Sequence, residues 1–482
     1  MNLDAPLQRE QIETLAREAP EAVVSLVMVM QEQLVALRAE IGRLQARVAE
    51  LEAQNRPPSA PFRRRKEERS TAPKKPGRPP GHPGSCRPVP EVIDEDIAVP
   101  LPCCPECSGA LEMVTPVEQF IEELPAVRPH VTRLRTFEGH CPRCEKPVRS
   151  THPRQMSAAG GCAGVHLGAR AVALAADIKH GIGLTLRKTC RALSLLGGLR
   201  VSAGGLAQLF QRTAQKLAPQ DAALHAQMLA APVLHTDETS WWRSGPCSLW
   251  VFTTPGKDGV TLYRVVEHRD RATFHQFVPP DWLGLLIGDC LSIYDTATNR
   301  QHKCYSHHLG ALRIARQDQN PQAAAAEDWT GRAKTFFLDA IALQARHPQM
   351  SPAECAAECA AERAAERAAE RAAERAQLEA RANDLFEWPR GDPAQERFRN
   401  RVAKQRDHLL TFLDEPCADA TNNLAERQLR GAVIARKLSC GNKTARGSDA
   451  WEILASLAAT CTQRATDFVA FVTPHLTLVP GG

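Results

Sequence analysis

Aromatic residues are scarce, 5% of 482, with 3 Tyr in the whole chain. Long apolar runs are absent too: no stretch of about 18 consecutive apolar residues marks a membrane-spanning helix. The N-terminus has no basic stretch leading into an apolar core and a small-residue cleavage site, so neither secretion nor membrane insertion is expected. An excess of one charge sign is also missing. With 60 Lys and Arg against 55 Asp and Glu, the net charge is +5, so attraction to a polyanion must come from local clusters. What is there, 43% hydrophobic and 24% charged residues over this length, is the make-up of a soluble chain of two to four domains. Cysteine is not scarce, at 16. The cysteines are spread along the chain, and two pairs have Cys-x-x-Cys spacing, which suits a reducing cytoplasmic setting better than a disulfide framework.

The first segment, 1–55, carries a heptad. One seam takes Val27, Leu34, Ile41 and Val48, and the other takes Val23, Met30, Leu37, Leu44 and Leu51. So narrow an apolar stripe needs a partner helix, which predicts a coiled coil and a homodimer; an amphipathic helix packed on its own protein is the alternative. Asn55, Pro57 and Pro58 end the helix. Residues 56–99 then read as a basic, disordered linker. It holds Arg63, Arg64, Arg65, Lys66, Lys74, Lys75 and Arg78, and can neutralise phosphates or simply space two domains.

Residues 100–150 contain Cys104-Pro-Glu-Cys107 and Cys141-Pro-Arg-Cys144. Two such knuckles can set four thiolates at the corners of a tetrahedron around a structural Zn²⁺ with no open position. The alternation between them (Val117, Phe120, Ile121, Leu124, Val127, Val131, Leu134) predicts connecting strands. Residues 160–222 read as three helices with short Gly-rich breaks. They permit a helix-turn-helix carrying Arg187 and Lys188 as DNA-binding candidates, or an ordinary bundle. Segments 231–310 and 415–465 read as an α/β layer, with strands at 233–237, 249–252, 260–266 and 285–289. The intervening 311–414 is a helical insertion with an Ala-Ala-Glu-Arg repeat. Its four-residue period advances about 40° beyond a turn, so no apolar face persists. Residues 466–482 read as a C-terminal tail.

Three acids stand out. Asp237 and Asp289 each close a predicted strand, and Glu426 lies on a predicted helix. If the three converge, they form an oxygen-only site for two Mg²⁺ ions, suited to phosphodiester displacement. Ordinary roles compete: the Asp residues as turn caps, Glu238 as the ligand in place of Asp237, and Glu426 paired with Arg430 one turn on. Arg427, Arg430, Arg436 and Lys437 cluster near the third acid as candidate phosphate clamps. Of Trp241 and Trp242, one is expected in the core and either could stack on a base.

The chain resembles the insertion-sequence-66 family of DDE transposases. The resemblance rests on the paired knuckles, Leu234-His-Thr-Asp-Glu-Thr239, Gly288-Asp289 with Tyr294-Asp295, Cys304-Tyr-Ser-His307, and Asn422-Asn423-Leu-Ala-Glu426-Arg427. Ala435-Arg436-Lys437-Leu438-Ser439-Cys440-Gly441 adds to it. It implies an RNase H-like catalytic core with a helical insertion. It further implies that Asp237, Asp289 and Glu426 are the catalytic, metal-binding triad for Mg²⁺ or Mn²⁺, and that element ends are cut and joined to target DNA. His307 is a candidate accessory residue, orienting a phosphate or a metal-bound water, with a structural role the alternative. Implied partners are the element's terminal inverted repeats, target DNA, further copies of the chain and accessory proteins of the same element. The location is the bacterial cytoplasm, at the nucleoid when on DNA. A catalytically inactive zinc-containing DNA-binding protein and an RNase H-like nuclease that never joins strands are the competing functions. After His307 the family commonly has basic residues, where this chain has His308-Leu309-Gly310.

Overall fold

The computed structural model describes residues 9–54, 88–124, 127–156, 165–295, 299–345, 361–415 and 417–477. The chain divides into two compact units, Met1–Asp96 and Ile97–Gly482. Arg78 and most of the basic linker lie outside the described residues, as do residues 353–360 at the start of the Ala-Ala-Glu-Arg repeat.

The first unit is built on two helices, Arg9–Glu18 and Pro20–Gln54. Pro20 opens the second, where its missing N–H costs nothing. The seam residues Val27, Met30, Leu34, Leu37, Ile41 and Leu44 are all exposed, so this unit supplies no cover for them. By length and composition Pro20–Gln45 would also suffice to cross a membrane. Glu32, Arg38 and Glu40 within it would then lie in hydrocarbon, which is costly.

In the second unit, each Cys-x-x-Cys forms a tight local turn. β1 (Glu138–Cys141) and β2 (Lys146–Arg149) pair antiparallel around the second, with Cys141 opposite Lys146. The strands expected between the knuckles do not form: described residues of 110–137 make no strand, and Val117, Ile121, Leu124 and Val131 are exposed. Alternation specifies a strand only where a second layer covers its apolar face, and none does here.

The helical region begins with Ala169–Ala176, which runs into a π turn, Asp177–Gly181. Leu186–Gly197 follows and stops at Gly198, whose φ of +63° is the left-handed cap that favours glycine. Ser202 then caps Ala203–Ala230, its hydroxyl accepting from Gly205 N at 3.1 Å. The third helix is longer than the sequence suggested and passes through Pro219, because Leu217, Leu224 and Met228 on either side are buried in the core. This region is no free-standing module. Leu206, Phe210 and Leu217 share one core with Leu234, Trp250 and Phe252 of the sheet. The expected C-terminal tail joins the same core. Phe468–Val472 is a helix, and Phe468, Val472 and Leu476 are buried there.

The central sheet has the order β5-β4-β3-β6-β7, from β3 (Val233–Trp242), β4 (Pro246–Thr253), β5 (Thr261–Val266), β6 (Leu285–Gly288) and β7 (Arg300–Lys303). The first three strands are antiparallel, and β6 and β7 run parallel to β3. Both faces are covered, which is why the strands read as nearly continuous apolar runs. One face of β3, with Leu234, meets the helices just described. The other meets Asn423–Ser439 and Ala445–Gln463 through Trp241, Leu249, Val251, Ala425, Leu429 and Trp451. The insertion lies on this second face beside β6, where Trp329, Phe336, Phe337, Phe386 and Phe398 pack with Val233 and Ile287. Beyond the repeat, its helix Ala361–Phe386 does acquire an apolar face, through Leu378, Ala382 and Leu385.

Candidate active site

Asp237 does not close its strand. β3 continues to Trp242 as a hairpin with β4, placing Asp237 opposite Val251. Its parallel pairing with β6, however, ends at His235, opposite Ile287. Asp237 therefore projects just past the point where β6 stops, and Asp289 immediately follows β6. The Asp289 carboxylate accepts from Leu291 N at 2.9 Å and so also caps the next turn. Glu426 sits in the first turn of Asn423–Ser439, where the helix dipole favours an acid.

These acids feel one another. Burial, the adjacent Glu238, and the charges of Asp289 and Glu426 together push the Asp237 carboxyl up to about 7, against a hydrogen bond from Glu238 N. Asp237, Glu238, Glu426 and Arg430 line one cleft of about 430 Å³.

Strand alternation separates Asp237 from Glu238. Odd-numbered β3 residues face the Glu426 helix, as buried Trp241 does. Glu238 faces the other layer, where Tyr294 Oη donates to it at 2.8 Å and Arg269 forms an ion pair with it. Burial nevertheless raises its carboxyl above the usual range, as does Asp289. Glu238 is thus engaged by two partners, and Asp237 is the acid turned toward Glu426. The ion-pair partner of Glu426 is His307, with Nδ1 at 3.9 Å, rather than Arg430. Interaction with the Cys304 side chain raises His307 to about 9 despite partial burial, and Asp289 and Glu426 reinforce this. His308 has a different fate: it is fully buried and stacks on Phe337 at 5.5 Å.

The sequence reading missed a buried strut. Asn422, fully buried, donates from Nδ2 to Thr236 O at 2.7 Å and accepts from His235 Nδ1 at 3.2 Å. Its own N–H reaches Cys304 Sγ at 3.1 Å. Burial lowers His235 to about 4, so it stays neutral, with Nδ1 protonated as donor. Asn422 thereby ties β3, the residue after β7 and the Glu426 helix together at the site. An Asn directly ahead of a helix was the one available signal, and it suggests a cap rather than a cross-link. Lys303, also missed, is buried and pairs with Asp295 at 3.1 Å.

The matching family description is "Transposase IS66 family", over residues 164–450, more than half of the chain. The chain belongs to the IS66 transposase family. A comparison with curated proteins finds no match.

The cationic candidates of this IS66-family chain fall into different settings. Arg187 and Lys188 are exposed on Leu186–Gly197, and Arg427 and Arg430 are exposed on the Glu426 helix. Lys437 is half-buried. Arg436 is engaged within the protein, donating to Thr239 Oγ1 at 2.9 Å and to Ser240, so it braces β3 rather than standing free as a clamp. Trp241 is buried against Trp451 at 4.5 Å, and Trp242 is half exposed.

At the knuckles, backbone N–H groups of Cys107 and Glu106 point at Cys104, and those of Cys144 and Arg143 at Cys141. Both thiols are lowered below the usual range. Each knuckle gathers its own pair. Neither the four sulfurs nor the carboxylates of Asp237, Asp289 and Glu426 close into one group; among the described residues the metal-ligating group that closes is Cys304, His307 and Glu426.

Proposed function

We propose that this transposase binds the ends of its insertion sequence and catalyses divalent-metal-dependent strand cleavage and strand transfer, with Asp237, Asp289 and Glu426 as its catalytic acids. The observation that carries this is the Asp237 carboxyl, raised to about 7 by burial first and the adjacent Glu238 next, with smaller contributions from Asp289 and Glu426. A hard cation that drew these carboxylates together would relieve their mutual charge, and an all-oxygen donor set fits Mg²⁺ or Mn²⁺. Asp237, Asp289 and Glu426 would hold two such ions, which supply activation of the attacking hydroxyl and stabilisation of the leaving oxygen. The sheet order, three antiparallel strands followed by two parallel ones, supports an RNase H-like core.

The chain's other groups have complementary tasks. Arg430 at the cleft and exposed Arg427 pair with phosphate oxygens and hold the scissile strand against the acids. His307 orients the Glu426 carboxylate at 3.9 Å. Trp242 offers an exposed ring for a base. Arg187 and Lys188 extend the contact to flanking DNA. The knuckle thiols Cys104, Cys107, Cys141 and Cys144 are the proposed structural Zn²⁺ ligands: N–H groups aimed at Cys104 and Cys141 favour the thiolate, and the ion would have to draw the two pairs together. The exposed heptad seam supports self-association through the first unit.

The test uses labelled element-end DNA with Mg²⁺ and a target plasmid. The expected result is cleavage at the end and covalent attachment of label to target. Nicking without attachment would indicate a nuclease, and binding without nicking an inactive DNA-binding protein.

A further inference from the structure

β7 ends at Lys303, Cys304 is the N-cap residue of the helix Tyr305–Asp318, and His307 follows one turn later. Residues three apart on a helix share a side, so thiol and imidazole are delivered together. Packing of the helix Asn423–Ser439 adds the carboxylate of Glu426. Cys304 Sγ, a ring nitrogen of His307 and a Glu426 oxygen all lie within 4.8 Å of one another. His307 Nδ1, 3.9 Å from Glu426 Oε1, is buried and makes no hydrogen bond. Cys304 Sγ already accepts the Asn422 N–H at 3.1 Å, a bond that a thiolate would strengthen.

One sulfur, one nitrogen and one oxygen make a donor set for a borderline-soft cation and a poor one for Mg²⁺, which takes oxygen. Zn²⁺ at its ordinary bond lengths sets tetrahedral donors about 3.5 Å apart. The observed separations reach that value by contraction of roughly 1 Å. The geometry points to a second metal site at Cys304, His307 and Glu426, with an open fourth position, that takes a thiophilic divalent cation such as Zn²⁺ or Cd²⁺. On binding, the Cys304 thiol and the His307 imidazolium each release one proton to water, the metal–sulfur bond replaces S–H, and His307 coordinates as neutral imidazole. Occupancy holds a Glu426 oxygen toward Cys304 and His307 and so competes with its reach toward Asp237 and Asp289. A thiophilic cation is then an inhibitor of the reaction that Mg²⁺ supports. This consequence, unlike the site itself, rests on the transposase reading.

The full-length chain is titrated with ¹¹³Cd²⁺ and followed by NMR and metal analysis, beside Cys304→Ser, His307→Gln and Cys104→Ser. Expected is a resonance of mixed sulfur, nitrogen and oxygen ligation, distinct from sulfur-rich knuckle signals. It should be lost, with one Cd²⁺ per chain, in Cys304→Ser and His307→Gln and kept in Cys104→Ser. His307→Gln keeps the test valid if Cys304→Ser does not fold, and circular dichroism decides this. Equal Cd²⁺ uptake and an unchanged spectrum in the folded Cys304 or His307 variant overturns the site. A second arm adds Zn²⁺ to the Mg²⁺-driven cleavage assay. Inhibition reversed by chelator is expected, and undiminished cleavage with the site filled overturns the competition. A chain that cleaves no DNA under any metal condition contradicts the functional reading alone, since the Cd²⁺ titration still judges the site.

Discussion

Asn422 Nδ2 donates to the Thr236 carbonyl at 2.7 Å, fixing the start of the Glu426 helix to the residue immediately before Asp237. Two of the proposed catalytic acids are therefore coupled through one buried amide, although 189 positions separate 426 from 237. Asn422→Ala leaves Thr236 O and His235 Nδ1 unpaired in the core. A loss of about 2–4 kcal/mol in denaturant unfolding is expected. A change within about 0.5 kcal/mol, the range of surface substitutions, would contradict the strut.

Glu452 gives a pH dependence. Burial raises its carboxyl to about 7, with Asp449 adding to the rise and Arg264 opposing it. The folded state therefore binds this proton more tightly than the unfolded state. The resulting stability is fully present below the ordinary Glu range and is lost as pH rises through about 7. Glu452→Gln keeps the neutral form at every pH. It should be more stable than the parent at pH 8, by on the order of 2–3 kcal/mol, with the gap closing toward pH 4. Thermal unfolding at the two pH values checks this; an equal difference at both would contradict it.

The exposed seam of Pro20–Gln54 predicts assembly. Removing residues 1–55, or introducing Leu37→Lys with Leu44→Lys, should reduce the mass seen by light scattering. An unchanged mass would show that other surfaces hold the oligomer together.

The knuckles predict about one zinc ion per chain. Cys104→Ser should lose it and lower the protease resistance of residues 100–150. Metal analysis that finds no zinc in protein purified without chelator counts against the assignment.

Much of the architecture was legible because local physics and tertiary packing agree. Leu285 to Gly288 reads as a buried strand and is one, since both its faces are covered. The segment 117–134 reads as strands, and its described residues form none, because alternation is only half of the requirement and the covering layer is missing. Asp237 was misplaced by the same limit. A strand's end is set by its neighbours, and β3 has one partner that stops at His235 and another that continues to Trp242. The end of the helical region, placed at 222 where the helix runs to Ala230, and the segment after Thr466 were misread because core contacts outweighed local signals. At the site, the choice between Asp237 and Glu238 became clear only from which face each occupies. Asn422 and Arg436 could not be assigned from sequence, since a buried cross-link leaves no periodic trace.

The central claim is that Asp237, Asp289 and Glu426 act as one unit on DNA. The most direct measurement is Mg²⁺-dependent cleavage of element-end DNA by Asp237→Asn, Asp289→Asn and Glu426→Gln, with DNA binding and thermal unfolding recorded for each. Cleavage falling to background in all three, while binding and folding persist, is the predicted result. A folded Asp237→Asn protein that cuts as fast as the parent would contradict it.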